Sequence, residues 1–286
     1  MQYIVMDLEW NNVYSSKRSV FFNEIIEIGA VKLDDNLNQI DYFSQTVNTA
    51  LGKRLRRKVK ELTHITNEEI NNGSGFTRIM SDFRHWIGNV PSVVMTWGNT
   101  DVYVMLENFE YFSGAHMIPF MHYYADLQKY CQSYLKTGND TQLGLITAAD
   151  MLDIETDELE LHRGLADSVL TAECLRKTFD KKKLEKYISS CDDEFYDRLN
   201  FKPYVIRDLN NPAIDKKKFT TYCPDCGFKL KRVSKWSFKN AFFRAKFNCD
   251  NCEKKYKVSI RYKQYYDYVD FKKKVEELVE KPKEED

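Results

Sequence analysis

The first fifty residues alternate between apolar runs and short polar turns. Residues 3–9, 25–33 and 40–47 are apolar and rich in β-branched side chains, and the polar turn 34–38 separates the last two runs. Runs of this length, bounded by polar residues, are typical of β-strands. Because the connections are short, we predict three consecutive strands in an antiparallel meander.

The pattern then changes to the spacing of helices. In residues 76–87 the apolar positions recur every three or four residues, which predicts an amphipathic helix. Residues 92–97 predict a short buried strand, and helices are predicted from residue 101 onward and at 127–135, 141–152 and 166–179. A meander followed by alternating helices and strands predicts an α/β domain around a mixed sheet.

The chain has no net charge overall, but its two parts carry opposite net charges. The 286 residues include 43 Lys and Arg and 43 Asp and Glu, but residues 1–215 carry a net charge of −9 and the rest +9. A dense basic module is typical of polyanion binding. We predict a first domain at 1–182, a helical and linker segment at 183–219, a cysteine-bearing module at 220–265 and a charged helix with a tail at 266–286.

The composition gives no sign of a membrane or secreted protein. No run of about 18 apolar residues occurs, and the start turns acidic before an apolar segment of signal-peptide length could form. Seven cysteines are an odd number for a disulfide framework. We expect a soluble, cytoplasmic protein with no membrane partner.

Two carboxylates stand on the first predicted strand. Asp7 and Glu9 are two residues apart, so both side chains leave the same face of the strand, about 7 Å apart. They could be ordinary polar residues on a solvated face. The strand is otherwise apolar on both faces, however, which predicts a central position and a cleft-facing pair that needs a cation.

Three further residues could complete a site. Asp101 follows the strand 92–97 and begins a helix, where it could equally be a helix N-cap. His162 and Asp167 are five residues apart, which would separate them by about 140° on one continuous helix. A helix that starts near Gly164 would instead leave His162 on a loop that can fold back over Asp167.

In order and approximate spacing, these residues resemble the motifs of the DEDDh 3′→5′ exonucleases of the RNase H-like (DnaQ-like) superfamily. The motifs are Asp-x-Glu at Asp7 and Glu9, an aspartate after a later strand at Asp101, and His-x-x-x-x-Asp at His162 and Asp167. The resemblance covers about residues 1–180 and is closest to the branch of KapD-like and histone-mRNA exonucleases. It implies an RNase H-like sheet flanked by helices.

The resemblance also implies a chemistry that suits these residue types. The four carboxylates would hold two Mg²⁺ or Mn²⁺ ions, which stabilise charge on the attacking and leaving oxygens of phosphodiester hydrolysis. His162 would be the general base, since imidazole titrates near neutral pH. The expected partner is single-stranded nucleic acid with a free 3′ end, RNA favoured, and the expected product is a 5′-mononucleotide.

Substrate contacts are predicted around residues 53–66. The run 53–60 holds six basic residues in eight, which form either a solvated face or a contact for the phosphate backbone. A short His-Ile-Thr motif follows and resembles the substrate-side motif of the family. The predicted substrate-binding residues are Trp10, where many members have threonine, Arg56, Arg57, His64, Ile65 and Thr66.

Two Cys-x-x-Cys pairs, separated by 22 residues, predict a tetrahedral zinc site of the ribbon type. A redox dithiol is the alternative. Because the surrounding module is small, we expect one structural Zn²⁺ to hold its fold. The predicted ligands are Cys223, Cys226, Cys249 and Cys252. The other cysteines, interpreted as buried apolar residues, are Cys131, Cys174 and Cys191.

Basic and aromatic residues are interleaved around the cysteine pairs. Residues 216–263 contain 15 basic and 3 acidic residues, a composition that suits single-stranded nucleic acid but also a solvated ribbon or a protein-docking module. For the whole chain, the leading hypothesis is a metal-dependent exonuclease. The alternatives are a proofreading-type DNA exonuclease and a catalytically silent nucleic-acid-binding scaffold.

Overall fold

The protein consists of two compact units, Met1–Leu199 (unit 1) and Asn200–Asp286 (unit 2). The computed structural model describes residues 1–52, 54–138, 142–156 and 162–278. Parts of three predicted features lie outside these residues: Lys53 of the basic run, the first residue of the predicted helix 141–152, and the last eight residues of the predicted tail. Each unit has its own hydrophobic core.

Unit 1 is built on a mixed sheet of seven strands within the described residues, in the order β4-β3-β2-β1-β5-β6-β7. The three long antiparallel strands at its start confirm the predicted meander. Strands β5 and β6 run parallel to β1, so β1 is a central strand, as its apolar faces predict. The strands are β1 (Gln2–Ser15), β2 (Val20–Leu33), β3 (Gln39–Asn48), β4 (Ser74–Gly75), β5 (Ser92–Thr96), β6 (Tyr123–Asp126) and β7 (Ile188–Ser190).

Helices cover both faces of this sheet, which confirms the α/β layout. Alternate residues of β1 enter two separate cores: Ile4 and Met6 pack with helices α3 and α4, and Tyr3 and Val5 pack with α5, α6 and α7. The helices are α1 (Arg57–Thr63), α2 (Asn67–Asn72), α3 (Phe76–Ile87), α4 (Thr100–Ser113), α5 (Leu127–Leu135), α6 (Leu145–Met151), α7 (Gly164–Thr178), α8 (Lys181–Leu184) and α9 (Asp193–Asn200).

The boundary of unit 1 differs from the predicted one. The predicted domain ends at residue 182, with a helical linker after it, but unit 1 continues to Leu199. Strand β7 pairs antiparallel with β6, and Tyr196 of α9 is buried in the core with its hydroxyl accepting the Ile118 N–H at 3.1 Å. The charged composition of this segment conceals the few apolar residues that attach it to unit 1.

Unit 2 contains a six-stranded sheet in its part up to residue 278, in which β10 to β13 form an antiparallel series. Strand β8 pairs with β12 and β9 pairs with β11, so the sheet begins before the predicted module 220–265 and ends after it. The strands are β8 (Tyr204–Val205), β9 (Lys231–Arg232), β10 (Ser237–Lys239), β11 (Phe242–Asn248), β12 (Lys255–Gln264) and β13 (Val269–Glu277).

The predicted helix in residues 266–286 is wrong for its described part. Residues Val269–Glu277 form β13, which pairs with β12 along its whole length. Phe271 and Val275 are four residues apart, a spacing that fits one face of a helix but also puts both side chains on one face of a strand. They pack against the unit 2 core, and this burial together with the paired edge of β12 favours the strand.

Candidate active site

Three of the predicted carboxylates meet at one end of the unit 1 sheet. Asp7 and Glu9 leave β1 on the face that α7 covers, and Asp167 projects from the first turn of α7. One oxygen from each of the three carboxylates lies within 4.8 Å of the others. Residues 160 positions apart in the sequence thus form one acidic cluster on a strand and the helix packed on it.

Two glycines allow α7 to lie directly against the sheet. A Cβ atom at Gly29 would lie 2.0 Å from the carbonyl carbon of Gly164, and one at Gly164 would lie 3.1 Å from the backbone oxygen of Asp7. The Ser168 hydroxyl donates to the Gly29 carbonyl at 2.9 Å. This close backbone approach, which a larger residue would prevent, brings Asp167 to the strand that carries Asp7.

Asp101 reaches the same site from the other core of the sheet. It lies in the first turn of α4 and is only 5% exposed. Its Oδ1 accepts the backbone N–H of Leu8 at 3.1 Å, so its carboxylate is held against β1 at the residue between Asp7 and Glu9 in the chain, and it is not the cap of its own helix. Asn99 occupies the cap position instead.

Burial and mutual repulsion raise the pKa of every carboxyl group in the cluster. For Asp7 the rise in pKa is large and is due to burial first, then to the neighbouring charge of Asp101. Burial is also the main cause that raises the pKa of Glu9 to about 8 and that of Asp101 to about 7. Burial raises the pKa of Asp167 despite the hydrogen bond it accepts. Hard divalent cations fit such a set of crowded oxygen ligands, because they neutralise the repulsion.

His162 lies on the loop just before α7, as the alternative to a continuous helix requires. The helix begins at Gly164, and His162 has a left-handed backbone conformation with φ of 65°. Its backbone N–H donates to Asp167 Oδ1 at 3.4 Å, and its charge acts to lower the pKa of that carboxyl. The loop therefore folds back over Asp167, and His162 is half-buried at the edge of the cluster.

A buried ion pair that the sequence interpretation missed supports this loop. Arg163 donates from Nε and Nη2 to the Glu27 carboxylate at 2.7–3.2 Å, and the Gly164 N–H donates to the same group at 2.9 Å. Glu27 stands directly opposite Glu9 in the β1–β2 ladder and is 2% exposed. The sequence signal that could have identified Glu27 is a carboxylate directly between two isoleucines, Ile26 and Ile28, in the apolar run of β2.

The acidic cluster forms the floor of a cleft of about 600 Å³. Basic and apolar side chains from α1 and from the end of β1 form its walls. The residues that line it are Asp7, Leu8, Glu9, Trp10, Asn12, Arg56, Lys58, Val59, Leu62, Thr63, Trp97, Thr100, Asp101 and Asp167. Trp10 and Arg56 are therefore at the cleft, as predicted, and Lys58 and Asn12 join them without having been singled out.

The remaining predicted substrate contacts lie away from the cleft lining in the described residues. Arg57 is exposed and donates to Glu61 at 2.7 Å. His64 ends α1 in a left-handed conformation, and Thr66 caps α2 through a reciprocal hydrogen bond with Glu69. Ile65 is 1% exposed and packs with a small core cluster between α1, α2 and β2.

In unit 2, four cysteine sulfurs come together as predicted. The Sγ atoms all lie within 4.8 Å of one another, with Cys223 3.6 Å from Cys252 and Cys226 3.4 Å from Cys249. A tetrahedral zinc site with Zn–S bonds of about 2.3 Å has sulfurs about 3.8 Å apart, so the set fits this metal. Gly227, with φ of 71°, provides the left-handed turn that closes the first Cys-x-x-Cys loop.

The other three cysteines lie in unit 1. Cys131 of α5 and Cys174 of α7 are fully buried in one core, as predicted, whereas Cys191 is only partly buried. None of the helices in the described part of the chain is long and apolar enough to span a bilayer.

The fold and the acidic cluster of unit 1 define an RNase H-like domain, and comparison with known proteins identifies its family. The family model for the exonuclease domain, RNase_T, matches residues 4–175. The chain belongs to this family, and it is a 3′→5′ exonuclease of the DEDDh type, as its motifs predict. Membership implies divalent metal cofactors.

Individual relatives agree with this assignment. The probable 3′-5′ exonuclease KapD of Bacillus subtilis (strain 168) is 29% identical over 190 residues, which cover 64% of this chain and 87% of the relative. The PolC-type DNA polymerase III of Clostridium perfringens (strain 13 / Type A) is 30% identical over 203 residues, 67% of this chain but 13% of the relative. Among solved structures, the nuclease domain of 3′hExo, a DEDDh family member bound to rAMP, shares the fold with a TM-score of 0.54 and 21% identity, over 62% of this chain and 90% of that one.

Proposed function

We propose that the chain hydrolyses single-stranded nucleic acid, preferably RNA, from its 3′ end to 5′-mononucleotides. The observation that carries the proposal is the convergence of four carboxylates on the floor of one cleft. Three of them have oxygens within 4.8 Å of one another, and Asp101 lines the same floor. Water attack on a phosphodiester needs charge stabilisation at two oxygens, which such a floor can organise.

Asp7, Glu9, Asp101 and Asp167 are the residues that would hold two Mg²⁺ or Mn²⁺ ions. When bound, such ions activate water and neutralise charge that develops on the scissile phosphate. The protein contributes a fixed arrangement of ligands: the Leu8 N–H orients the Asp101 carboxylate, and the close approach of Gly164 to Gly29 of β2 and to the Asp7 backbone of β1 holds α7 against both strands. Ligands that are held in place before substrate arrives need no reorganisation during the reaction.

We assign His162 the role of general base. It belongs to the loop that folds over Asp167, and an imidazole can accept a proton near neutral pH. Arg163 and Glu27 would act as positioning residues, because their ion pair and the bond to the Gly164 N–H anchor the loop next to His162.

The walls of the cleft support a single strand as substrate. Trp10 offers an aromatic surface on which a terminal base can stack, and Arg56 and Lys58 place positive charge at the mouth above the acidic floor. The preference for RNA is supported by the resemblance to RNA-trimming exonucleases and by the rAMP bound to 3′hExo. The similarity to the PolC-type polymerase supports DNA as the second candidate.

For unit 2 we propose one structural Zn²⁺ held by Cys223, Cys226, Cys249 and Cys252. The mutual sulfur distances support this assignment, and the unit has a thin core that a metal would stabilise. A site of four thiolates persists in a reducing compartment, so the proposed location is the cytoplasm.

The test offers 3′-labelled single-stranded RNA and DNA of the same sequence, with Mg²⁺ or Mn²⁺, to the full chain. We expect labelled mononucleotide as the first product and faster release from RNA. Asp7→Asn and His162→Ala should each lower kcat by about 10²–10³-fold, the range found when one stabilising or proton-transfer group is removed.

Two exposed residues outside the cleft provide matched controls, Asp150→Asn in α6 and His85→Ala in α3. Both variants should retain the activity of the wild type. Release that persists in Asp7→Asn and His162→Ala would reject the assigned site. If the protein releases mononucleotides from neither RNA nor DNA, the result favours the hypothesis of a catalytically silent scaffold over that of an exonuclease.

A further inference from the structure

One face of the unit 2 sheet carries basic residues on four consecutive strands. The inner face of β10–β13 packs on the core through residues such as Ala245, Val258 and Ile260, so the alternate positions point outward. The outward positions that define what we call the basic face are Lys239, Phe242, Arg244, Lys246, Lys257, Ser259, Arg261, Lys263, Lys272 and Lys274.

The register of the sheet places these cations in rows. Ser259 pairs with Arg244 on one side and with Lys274 on the other, and Arg261 pairs with Lys272 in the next row. Rows in adjacent strands are about 5 Å apart, and successive outward residues of one strand are about 7 Å apart. The basic face is therefore a regular array of positive charge.

Few acidic residues neutralise this array. Asp270 lies 3.5 Å from Arg261, and Glu276 lies 2.8 Å from Lys257, both on β13. Lys272 and Lys274 form no ion pair within the described residues, and both side chains are exposed. The excess of positive charge in so small an area makes the face complementary to a polyanion.

The centre of the basic face also has an aromatic ring and two incompletely satisfied arginines. Arg261 and Lys274 lie 5.5 and 5.8 Å from the centre of the Phe242 ring. The Nε atoms of Arg244 and Arg261 are buried and lack a hydrogen-bond partner among the described residues. A phosphate oxygen would be an acceptor for the guanidinium groups that carry these atoms, and a base can stack on the half-buried Phe242 ring.

We propose that the basic face binds the backbone of a single-stranded RNA and so gives the protein a second contact with its substrate, an inference that rests on the proposed function. The regular spacing and the aromatic ring favour an extended strand over an acidic protein, because a strand presents phosphates at regular intervals with bases between them. The site is formed by the strands of the sheet and is separate from the cysteine cluster.

The experiment measures binding of a labelled 30-nucleotide poly(U) RNA to the full chain. All proteins carry Asp7→Asn, so that the RNA stays intact during the measurement. The test variant adds Lys272→Gln and Lys274→Gln on the basic face. The matched control adds Lys216→Gln and Lys217→Gln, two exposed lysines on the short helix Lys216–Phe219. The hydroxyl of Tyr262, an inward residue, donates to the Asp215 carbonyl, so that helix adjoins the opposite face.

The test variant should bind more weakly, and its negative slope of log affinity against log salt concentration should decrease in magnitude by about 1.4, or 0.7 for each lost phosphate contact. The control should keep the slope of the parent. Equal changes in the two variants, or no change in the test variant, would overturn the proposal. So would poly-glutamate binding that is lost in the test variant while RNA binding is retained, because this result assigns the face to an acidic protein.

Failure of this proposal can be told apart from failure of the proposed function. A separate assay follows cleavage of a four-nucleotide RNA by proteins that have Asp7 intact. Normal mononucleotide release by the wild type together with unchanged RNA binding in the test variant rejects the basic face alone. If the wild type releases no mononucleotide but the test variant shows a shallower salt dependence of RNA binding, the exonuclease function is rejected and the basic face is retained as an RNA-binding site.

Discussion

The two clusters of side chains that could hold metal ions differ in how they relate to the fold around them. The carboxylate cluster of unit 1 lies at the end of a sheet that is already held by two large hydrophobic cores. The cysteine cluster of unit 2 joins two loops of a small sheet with one core, and Cys223 and Cys249 themselves belong to that core. Removal of a metal should therefore affect function in unit 1 and folding in unit 2.

Ligand chemistry sharpens this difference. Burial first, and then repulsion by neighbouring carboxylates, raises the pKa of Asp7 and Glu9, so the ionised site of unit 1 is unfavourable in the absence of cations and stores this repulsion. Oxygen ligands that are half-open to a cleft exchange hard cations readily, whereas a closed set of four thiolates binds zinc tightly. The carboxylate cluster of unit 1 is therefore suited to catalysis, and the closed cysteine cluster of unit 2 is suited to a structural role.

The largest effect is expected from Cys249→Ser. Cys249 is 1% exposed, and its loss removes one of the four thiolates of the proposed zinc site. Structural zinc contributes on the order of 10 kcal/mol to the folding of small zinc modules. We expect loss of bound zinc, measured by atomic absorption, and rapid proteolysis within residues 200–278. Unit 1 should resist the protease and should still cleave a four-nucleotide RNA.

Cys191→Ser is the matched control, because Cys191 is a partly buried cysteine of unit 1 outside the cluster. It should retain zinc and resist proteolysis. Full zinc content in Cys249→Ser, or equal proteolysis of both units, would contradict the division between a structural and a functional metal site.

The middle-sized effect concerns the ion pair beneath the carboxylate cluster. Arg163→Gln leaves the Glu27 carboxylate, which is 2% exposed, without its bidentate partner. Removing one partner of a buried pair costs about 3–5 kcal/mol, and we expect a loss of this size in the free energy of unfolding from urea titration. The double variant Glu27→Gln/Arg163→Gln should recover most of it, since no unpaired charge remains in the buried position. The partly exposed Glu69, 3.6 Å from Arg163, loses this partner in both variants. A double variant no more stable than Arg163→Gln would show that the pair itself is not the cause.

The sequence predicted the parts of both sites that depend on local patterns. Asp7 and Glu9 share a strand face, and the two Cys-x-x-Cys pairs each form within a few residues, so spacing alone places their ligands. The loop position of His162 followed from the helix start at Gly164. These features were predictable because they need only the period of a strand or the start of a helix.

What could not be predicted depends on contacts between distant segments. Glu27 enters the site through the β1–β2 register, and Ile65 is buried because α1 and α2 pack on β2. The strand β13 was missed because a spacing of four residues fits both a helix and a strand, and only the free edge of β12 decides between them. Register and edge pairing are properties of the assembled sheet, and a single sequence does not display them.

The smallest effect, the pH dependence of stability, isolates the repulsion stored in unit 1. Glu9 has an ordinary pKa of 4.5 in the unfolded chain and about 8 in the folded one, so between these values the folded state binds the extra proton. The free energy of unfolding must then fall as pH rises through this window. We expect a melting temperature several degrees lower at pH 7.5 than at pH 5.5, in buffer without divalent cations or chelator, so that zinc stays bound.

Glu9→Gln should flatten this profile of melting temperature against pH. Mg²⁺ or Mn²⁺ should raise the melting temperature more at pH 7.5 than at pH 5.5, because the cations replace the protons. Parallel profiles for Glu9→Gln and wild type would mean that the carboxylate cluster stores no such repulsion, and the contrast with the cysteine cluster would then rest on ligand chemistry alone.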